Sequence, residues 1–558
     1  MSKKKRNDVA HVSQSVQPAS RSAAAATPAS SPSRSVLARL PWAYIVTFVL
    51  FWTFCNCIYG DVFGRAAEAN FITTDSTQMK FLTDKDWGCV YWCGRWVLLA
   101  FENVALGSVL LSALLTLIVV LADRLLGLPR RWRGTTSVVP AAILGWMVWR
   151  GTNLYYKLEP SLIFIIPIAV LLALLVLVIV RWLLERRRAP KACAPARGWR
   201  DLWPGALVPC VMFAALTYST LAWNENEILT ARLQNRALKA DWEGIIEDAT
   251  SAKRPSRAVA AYYAIALLQT GQLLDRLFDL TYDFPDVRLT KVDGNEEYGL
   301  FLTDCSLYAG MVNVAYRCGM DHVVVNGPNL YYLKRMAVCA ILNEERELAR
   351  KYLHIIGKVP FQQAFIDKYA PMIEDRSLVK NDSELNKILG LAPLEQRFEQ
   401  NYVSPAFLGY NTGLNQGSDP SLETAIAACI YSKDLKRCEP HLRIYAQRHN
   451  GQVPLCLQQA MFLAAKNNPA LQAEFEPIAR SQQSVYSAFI MAASPIVEER
   501  ARVMEGKTEA EKEEIKQEYN AKLRAALHDD WVGTYFYYYY CENNDRNQIK
   551  QTTKSEVN

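Results

Sequence analysis

Five apolar segments stand between residues 41 and 223, and no other feature of the chain limits its fold as strongly. They run over about 41–60, 96–122, 138–155, 162–184 and 203–223. Each approaches the roughly 20 apolar residues that a helix needs to cross about 30 Å of hydrocarbon. A backbone that does not pair with itself finds no water there, so the spacing predicts membrane helices. The fourth segment is the purest, with Ile163, Phe164, Ile165 and Ile166 and then Leu171 through Val180. Pro140, Gly145, Arg150 and Gly151 dilute the third, which reads as a span or as a re-entrant or tilted helix.

Lys and Arg in the short connections set the orientation. The arm before the first segment carries Lys3, Lys4, Lys5, Arg6, Arg21, Arg34 and Arg39. The second-to-third connection carries Arg124, Arg130, Arg131 and Arg133, and the fourth-to-fifth Arg186, Arg187, Arg188, Lys191, Arg197 and Arg200. With five crossings these regions share the cytoplasmic side, and everything after Trp223 lies outside it. From residue 224 onward the chain holds about six more acidic than basic residues, so the net +7 conceals about +13 before it. The basic excess serves topology beside anionic lipid. Nucleic acid is not an expected partner, because no basic and aromatic platform accompanies the charge.

Residues 1–38 are rich in Ser, Ala, Pro and basic residues and bury too little surface to offset ordering, so a disordered cytoplasmic arm is expected. Residues 39–223 form the membrane domain, and 224–558 an external domain whose texture is helical. In the latter, Asp241 to Ala249 makes one helix, and Ala258, Ala261, Tyr262, Ile265 and Leu268 make the stripe of a second, ending at Gly271. Two further hairpins turn near Asn343-Glu344-Glu345-Arg346 and Ser432-Lys433-Asp434. Ala337, Ala349, Leu353 and Pro360 resemble the packing positions of tetratricopeptide-type repeats, in a degenerate form in which Arg276 stands where a small residue belongs. The predicted class is all-α: about five spans followed by a repeat-like helical domain. A fragment beginning near Asn224 is expected to fold without the membrane part.

Taken whole, the chain resembles a family of uncharacterised multi-pass inner-membrane proteins from Bacteroidota with a domain of unknown function. The resemblance rests on the five spans, on Asp241-Trp242-Glu243-Gly244-Ile245-Ile246, on Thr270-Gly271-Gln272-Leu273 with Arg276-Leu277-Phe278, and on the aromatic end. It implies a bacterial inner membrane and a periplasmic helical domain, and it brings no catalytic residues.

Motifs of chemistry are sparse. The six histidines form no zinc-protease helix motif, and there is no P-loop, nucleotide-binding glycine fingerprint or serine elbow. No metal and no cofactor is expected; His528-Asp529-Asp530 and Asp293-Gly294-Asn295 read as solvated turns. Cys305, Cys318, Cys339, Cys429, Cys438, Cys456 and Cys541 read as buried free thiols, and Cys89 with Cys93 is the nearest local pair.

Three polar features carry the functional expectations. Glu102 and Arg150 fall at similar depth near the outer ends of the second and third segments, where an ion pair would relieve the cost of each. Asp61 follows the first span, at the place where membrane glycosyltransferases with lipid-linked donors hold an acidic base or metal ligand. The run from Trp531 through Tyr535, Tyr537 and Tyr538 to Tyr540 covers every face of a helix, which favours burial, with an exposed groove for glycan or peptide as the alternative. The leading functional expectation is a scaffold or adaptor, more a binding protein than an enzyme, that holds a periplasmic protein or peptide partner. The alternative is an enzyme or transport component at the outer membrane face, which would collect Asp61, Asp84, Asp86 and Arg95 in one cavity.

Overall fold

The computed structural model describes residues 42–151, 159–185, 203–282, 296–392 and 419–542. The arm at 1–38, the connection bearing Arg186 to Arg188 and the Asp293 turn lie outside the described residues. Every regular element is helical, and no strand occurs among the described residues.

α1 (Trp42–Thr53) continues through a π-helical turn (Phe54–Ile58) and meets α2 (Gly60–Glu68) at 67°. α3 (Ser76–Thr83) and α4 (Gly88–Leu98) precede α5 (Val104–Leu126), α6 (Val138–Trp149), α7 (Leu162–Glu185) and α8 (Trp203–Trp223). Three helices are long and apolar enough to cross a bilayer, Val104–Leu126, Leu162–Leu184 and Gly205–Trp223, and the bent α1–α2 pair is a fourth if it acts as one span. Two of the five expected spans do not reach this length as single straight helices, each for its own reason. The first breaks at Tyr59, where Gly60 lies so close to Val104 that a Cβ would stand 3.0 Å from its side chain. The third, Thr135–Trp149, reaches only about 22 Å at 1.5 Å per residue, short of the hydrocarbon thickness. The second also starts later than expected, because residues 96–98 finish α4 and the Asn103 side chain caps α5.

α5 turns Ser108, Leu111, Ser112, Leu115 and Ile118 inward and leaves Leu106, Val109, Leu110 and Leu117 outward, and α7 exposes Leu172, Val176, Ile179 and Val180. Outward apolar rows of this length suit lipid.

The body after the last apolar helix begins with α9 (Glu225–Leu238), α10 (Trp242–Thr250), α11 (Arg257–Thr270) and the single turn α12 (Leu273–Arg276). It continues with α13 (Glu296–Tyr308), α14 (Val312–Asn326), α15 (Leu330–Leu342), α16 (Arg346–Gly357), α17 (Gln363–Glu374), α18 (Arg376–Asn381) and α19 (Ser383–Leu391). The last group is α20 (Asp419–Tyr431), α21 (Leu435–Arg448), α22 (Leu455–Asn467), α23 (Gln472–Ala479), α24 (Gln482–Met504), α25 (Glu509–Trp531) and α26 (Tyr535–Cys541). From α9 to α17 most helices pack on their sequence neighbours, and α9, α11, α13, α15 and α17 also pack on the next but one.

One turn recurs along this stack. Ala240, Gly271, Gly310, Glu344 and Lys433 all adopt left-handed backbone, with φ of 54°, 73°, 79°, 61° and 56°. In each case the next residue's N–H donates to the carbonyl five residues back: Asp241 to Arg236, Gln272 to Leu267, Met311 to Ser306, Glu345 to Ala340 and Asp434 to Cys429, all at 2.8–3.0 Å. This is the Schellman closure, which satisfies carbonyls at a helix end. Asp241 and Asp434 then cap the following helix with their side chains.

The cores do not divide at residue 224. Phe71, Ile72, Met79, Leu82 and Leu99, from the connection after the first apolar helix, belong to the same buried cluster as α10 to α26. α9 serves both cores: Leu229, Leu233 and Ala237 join the body, whereas Ile228 and Ala231 join the membrane cluster around Phe54, Phe63 and Leu111. This sharing argues against the expectation that a fragment from Asn224 folds alone. Such a fragment would uncover apolar surface that residues 69–99 bury.

Candidate functional site

Where α2 meets α13 and α15, charges are buried together. Asp304 is 1% exposed and pairs with Arg335, whose Nε lies 2.8 Å from Oδ1. The Tyr262 hydroxyl donates to Asp304 Oδ2 at 2.7 Å, and the Tyr331 hydroxyl donates to the same oxygen. Arg335 Nη2 donates to the Tyr308 hydroxyl at 3.2 Å, and the Arg65 guanidinium of α2 lies 4.4 Å above the Tyr331 ring. Burial, and then the Asp304 carboxylate, hold the Tyr262 and Tyr331 hydroxyls well above the usual phenol range, so both remain donors. Burial works against the Arg335 charge, but Asp304, Tyr308 and Tyr331 together more than offset it. Nearby, Lys334 pairs with Glu68 of α2 at 3.4 Å. Two arginines, one carboxylate and three phenols thus tie the helix after the first span into the middle of the body. A sequence reading missed this cluster, because Asp304 stands in Thr303-Asp304-Cys305 with no motif around it.

The expected membrane-face residues have separate surroundings. Asp61, in the first turn of α2, accepts from Asn235 Nδ2 at 3.0 Å and from Arg232 Nε at 3.4 Å, both on α9. Arg95 makes a two-pronged pair with Glu159, Nε to Oε1 at 2.5 Å and Nη2 to Oε2 at 2.8 Å, and donates to the Phe71 carbonyl. Asp84 and Asp86 are exposed. The structure does not bring these four together. Nor does it pair Glu102 with Arg150: the charges acting on Glu102 are Glu68 and Lys334, whereas Arg150 lies over the Trp149 ring at 4.9 Å. The shortness of α6 explains the difference, since its last residue already stands at the helix end and Arg150 caps it.

Glu227, also missed, sits at the first turn of α9, where Asn224 and the Tyr59 hydroxyl hydrogen-bond it and a Cβ on Gly151 would overlap its carboxylate. Burial pushes its carboxyl up to about 7, against those hydrogen bonds.

At the far end of the chain the burial reading of the aromatic run holds. Tyr535, Phe536, Tyr537 and Tyr538 are at most 2% exposed and Trp531 is half-buried. Tyr535 donates to the Ile430 carbonyl, Tyr537 to that of Arg524 and Tyr538 to that of Tyr431. Phe278 and Tyr282 pack edge-on or tilted against Tyr538. These rings fasten α26 to α20 and offer no binding face. The outer edge of the same aromatic set is different: Tyr540 is exposed, its hydroxyl 3.2 Å from that of Tyr486, and Lys466 Nζ donates to Tyr486 at 2.7 Å.

Beside that edge, α22, α23 and α24 enclose a groove of about 350 Å³. Phe462, Ala465, Pro469 and Ala479 give it an apolar lining, and Lys466, Arg480, Gln472 and Gln483 supply cations and amides. Arg480 is three-quarters exposed, with Glu476 at 3.4 Å. The described cysteines are free: Cys89 and Cys93 lie exposed on α4, and Cys305, Cys339, Cys429, Cys438, Cys456 and Cys541 are buried. Among the described residues, no three His, Cys, Asp or Glu side chains converge as metal ligands would.

A family model described as "Family of unknown function (DUF6057)" matches residues 35–222 and 156–542. No curated protein and no solved structure matches the chain.

Proposed function

We propose that this chain, which belongs to the DUF6057 family of unknown function, is a membrane-anchored scaffold that binds an extended protein or peptide segment. The groove between α22, α23 and α24 carries this reading. Its volume is that of a small ligand pocket, and it combines an apolar floor with a few convergent polar groups. Gln472 and Gln483 can hydrogen-bond a backbone, and Lys466 and Arg480 favour acidic side chains beside it. The equivalent turns, with the same closure at Asn450 where Gly451 N–H donates to the Ala446 carbonyl, support a repeat-like stack of the tetratricopeptide kind, an architecture that presents grooves to extended partners. We read the membrane as the inner membrane of a bacterium, crossed five times with the bent α1–α2 pair and the short α6 both counted, because residues 69–99 and the body share a core and so lie on one side; the N-terminus is then cytoplasmic and the body periplasmic. The basic connections support that orientation.

The test is purification of the tagged full-length chain from membranes after crosslinking, alongside Lys466→Glu with Arg480→Glu. The doubly substituted chain should keep its level and lose a defined set of partners. If the same proteins accompany both chains, the groove is not the binding surface. A reporter active only in the periplasm should be active when fused after Trp223 and silent near Arg188; the reverse would overturn the orientation.

A further inference from the structure

We infer that the body has a second membrane contact, a foot made by Trp87, Val90, Val324, Val325 and Phe361 that dips into the outer face of the bilayer holding the spans. These residues come from three parts of the sequence, and the topology gathers them at one end of the body. α14 and α15 are antiparallel: Asn313, at the start of α14, bonds to Asn343, which ends α15, and His322 lies 4.1 Å from Tyr332 near the opposite end. The N-terminal end of α15 is the end that touches α2, through Tyr331 with Arg65 and Lys334 with Glu68. Val324 and Val325, in the last turn of α14, therefore lie on the membrane side. So does Phe361: Lys358, just after α16, pairs with Asp75, the cap of α3, at 2.8 Å. α3 runs between these points, with its Phe81 ring against Gly327.

The third part is fixed directly to a span. Gly94 of α4 lies against Ser161 and Ile165 at the outer start of α7, so closely that a Cβ would fall 2.7–2.9 Å from their side chains. The Arg95–Glu159 pair locks the same place. Trp87 and Val90 stand at the other end of α4, so this part of the foot is tied to α7 through one helix.

Exposure and backbone set these side chains apart. Trp87, Val324, Val325 and Phe361 are 76%, 73%, 80% and 74% exposed, more than the lipid-facing leucines and valines of α5. Trp87 and Phe361 also hold left-handed backbone, at φ 65° and 62°. Among the described residues they are the only aromatic ones that do; the other non-glycine cases are Ala, Glu, Lys and Asn. A bulky residue there is strained, and strain of this kind persists where the surroundings impose it and a function uses it. Here it turns two aromatic rings outward beside exposed Lys80, Lys85 and Lys358, a mixture of aromatic and Lys suited to the headgroup layer. An aqueous setting would gain nothing from the arrangement, whereas the outer leaflet buries it.

The experiment is photo-crosslinking of the full chain in vesicles of phosphatidylethanolamine and phosphatidylglycerol. p-Benzoylphenylalanine replaces Phe361 or Val325, and as a control Glu347, which is exposed at the opposite end of the same hairpins. Mass spectrometry should show phospholipid adducts at positions 361 and 325 in several-fold excess over 347. Equal yields at the three positions would overturn the inference. So would adducts at 361 and 325 formed with a second copy of the chain, or with another protein when the chain is irradiated in native membranes.

Discussion

The cluster around Asp304 and the groove beside Lys466 use similar groups in opposite ways. At the first, Asp304, Arg335 and Arg65 are at most 9% exposed, and each meets a phenol. At the second, Lys466 and Arg480 are exposed over an apolar floor, and their partners are a phenol and a carboxylate at the rim. Buried charges need every partner in place and therefore fix architecture. Exposed charges exchange partners at little cost and are free to meet a ligand. The first region joins the body to the membrane helices, and the second is left open at the surface.

Removing one charge from each should expose the contrast most sharply. Asp304→Ala leaves Arg335 buried without its carboxylate and should cost about 3–5 kcal/mol in denaturant unfolding of the full chain in detergent. Lys466→Ala should change stability by less than about 1 kcal/mol. Similar losses for the two would erase the distinction.

Glu227 stands at the boundary between the membrane cluster and the body, and a pH series reads it. Its folded pKa of about 7 lies above the ordinary 4.5, so between those values the folded state holds more protons than the unfolded. Stability from this group is full below about 4.5, falls as pH rises towards about 7 and is level above. Glu227→Gln should flatten that slope in thermal melts across the range; an unchanged slope would remove Glu227 as its source.

The smallest effect belongs to the recurrent turn. Glu344→Gly relieves a left-handed non-glycine residue and should stabilise the body by up to about 1 kcal/mol, seen as a raised melting temperature. A loss would mean that the Glu344 pairing with Arg376, at 3.3 Å, outweighs the backbone term.

The same turns show how far the sequence could be read. Gly271 announces its turn by composition, and the hairpins at Glu344 and Lys433 were legible from helical stripes on either side. Ala240 gives no such sign, because tertiary packing holds a residue that local preference disfavours. The spans were legible from hydropathy, but the break at Tyr59 was not, since it depends on Val104 pressing against Gly60. The aromatic run betrayed its burial by covering every helix face. The Asp304 cluster and the groove draw on helices far apart in the chain, and nothing in local spacing marks them. Asp61 looked chemical for its position alone; Arg232 and Asn235, which occupy it, lie more than 170 residues away.

The shared core is tested most directly by amide hydrogen exchange on the full chain carrying Phe71→Ala with Leu82→Ala. Both side chains come from the connection between the first two apolar segments and are buried with the body. Exchange should rise across α11, α13 and α15 while α5 and α7 keep their protection. A rise confined to residues 69–99 would contradict the shared core and restore a body that stands independently from Asn224.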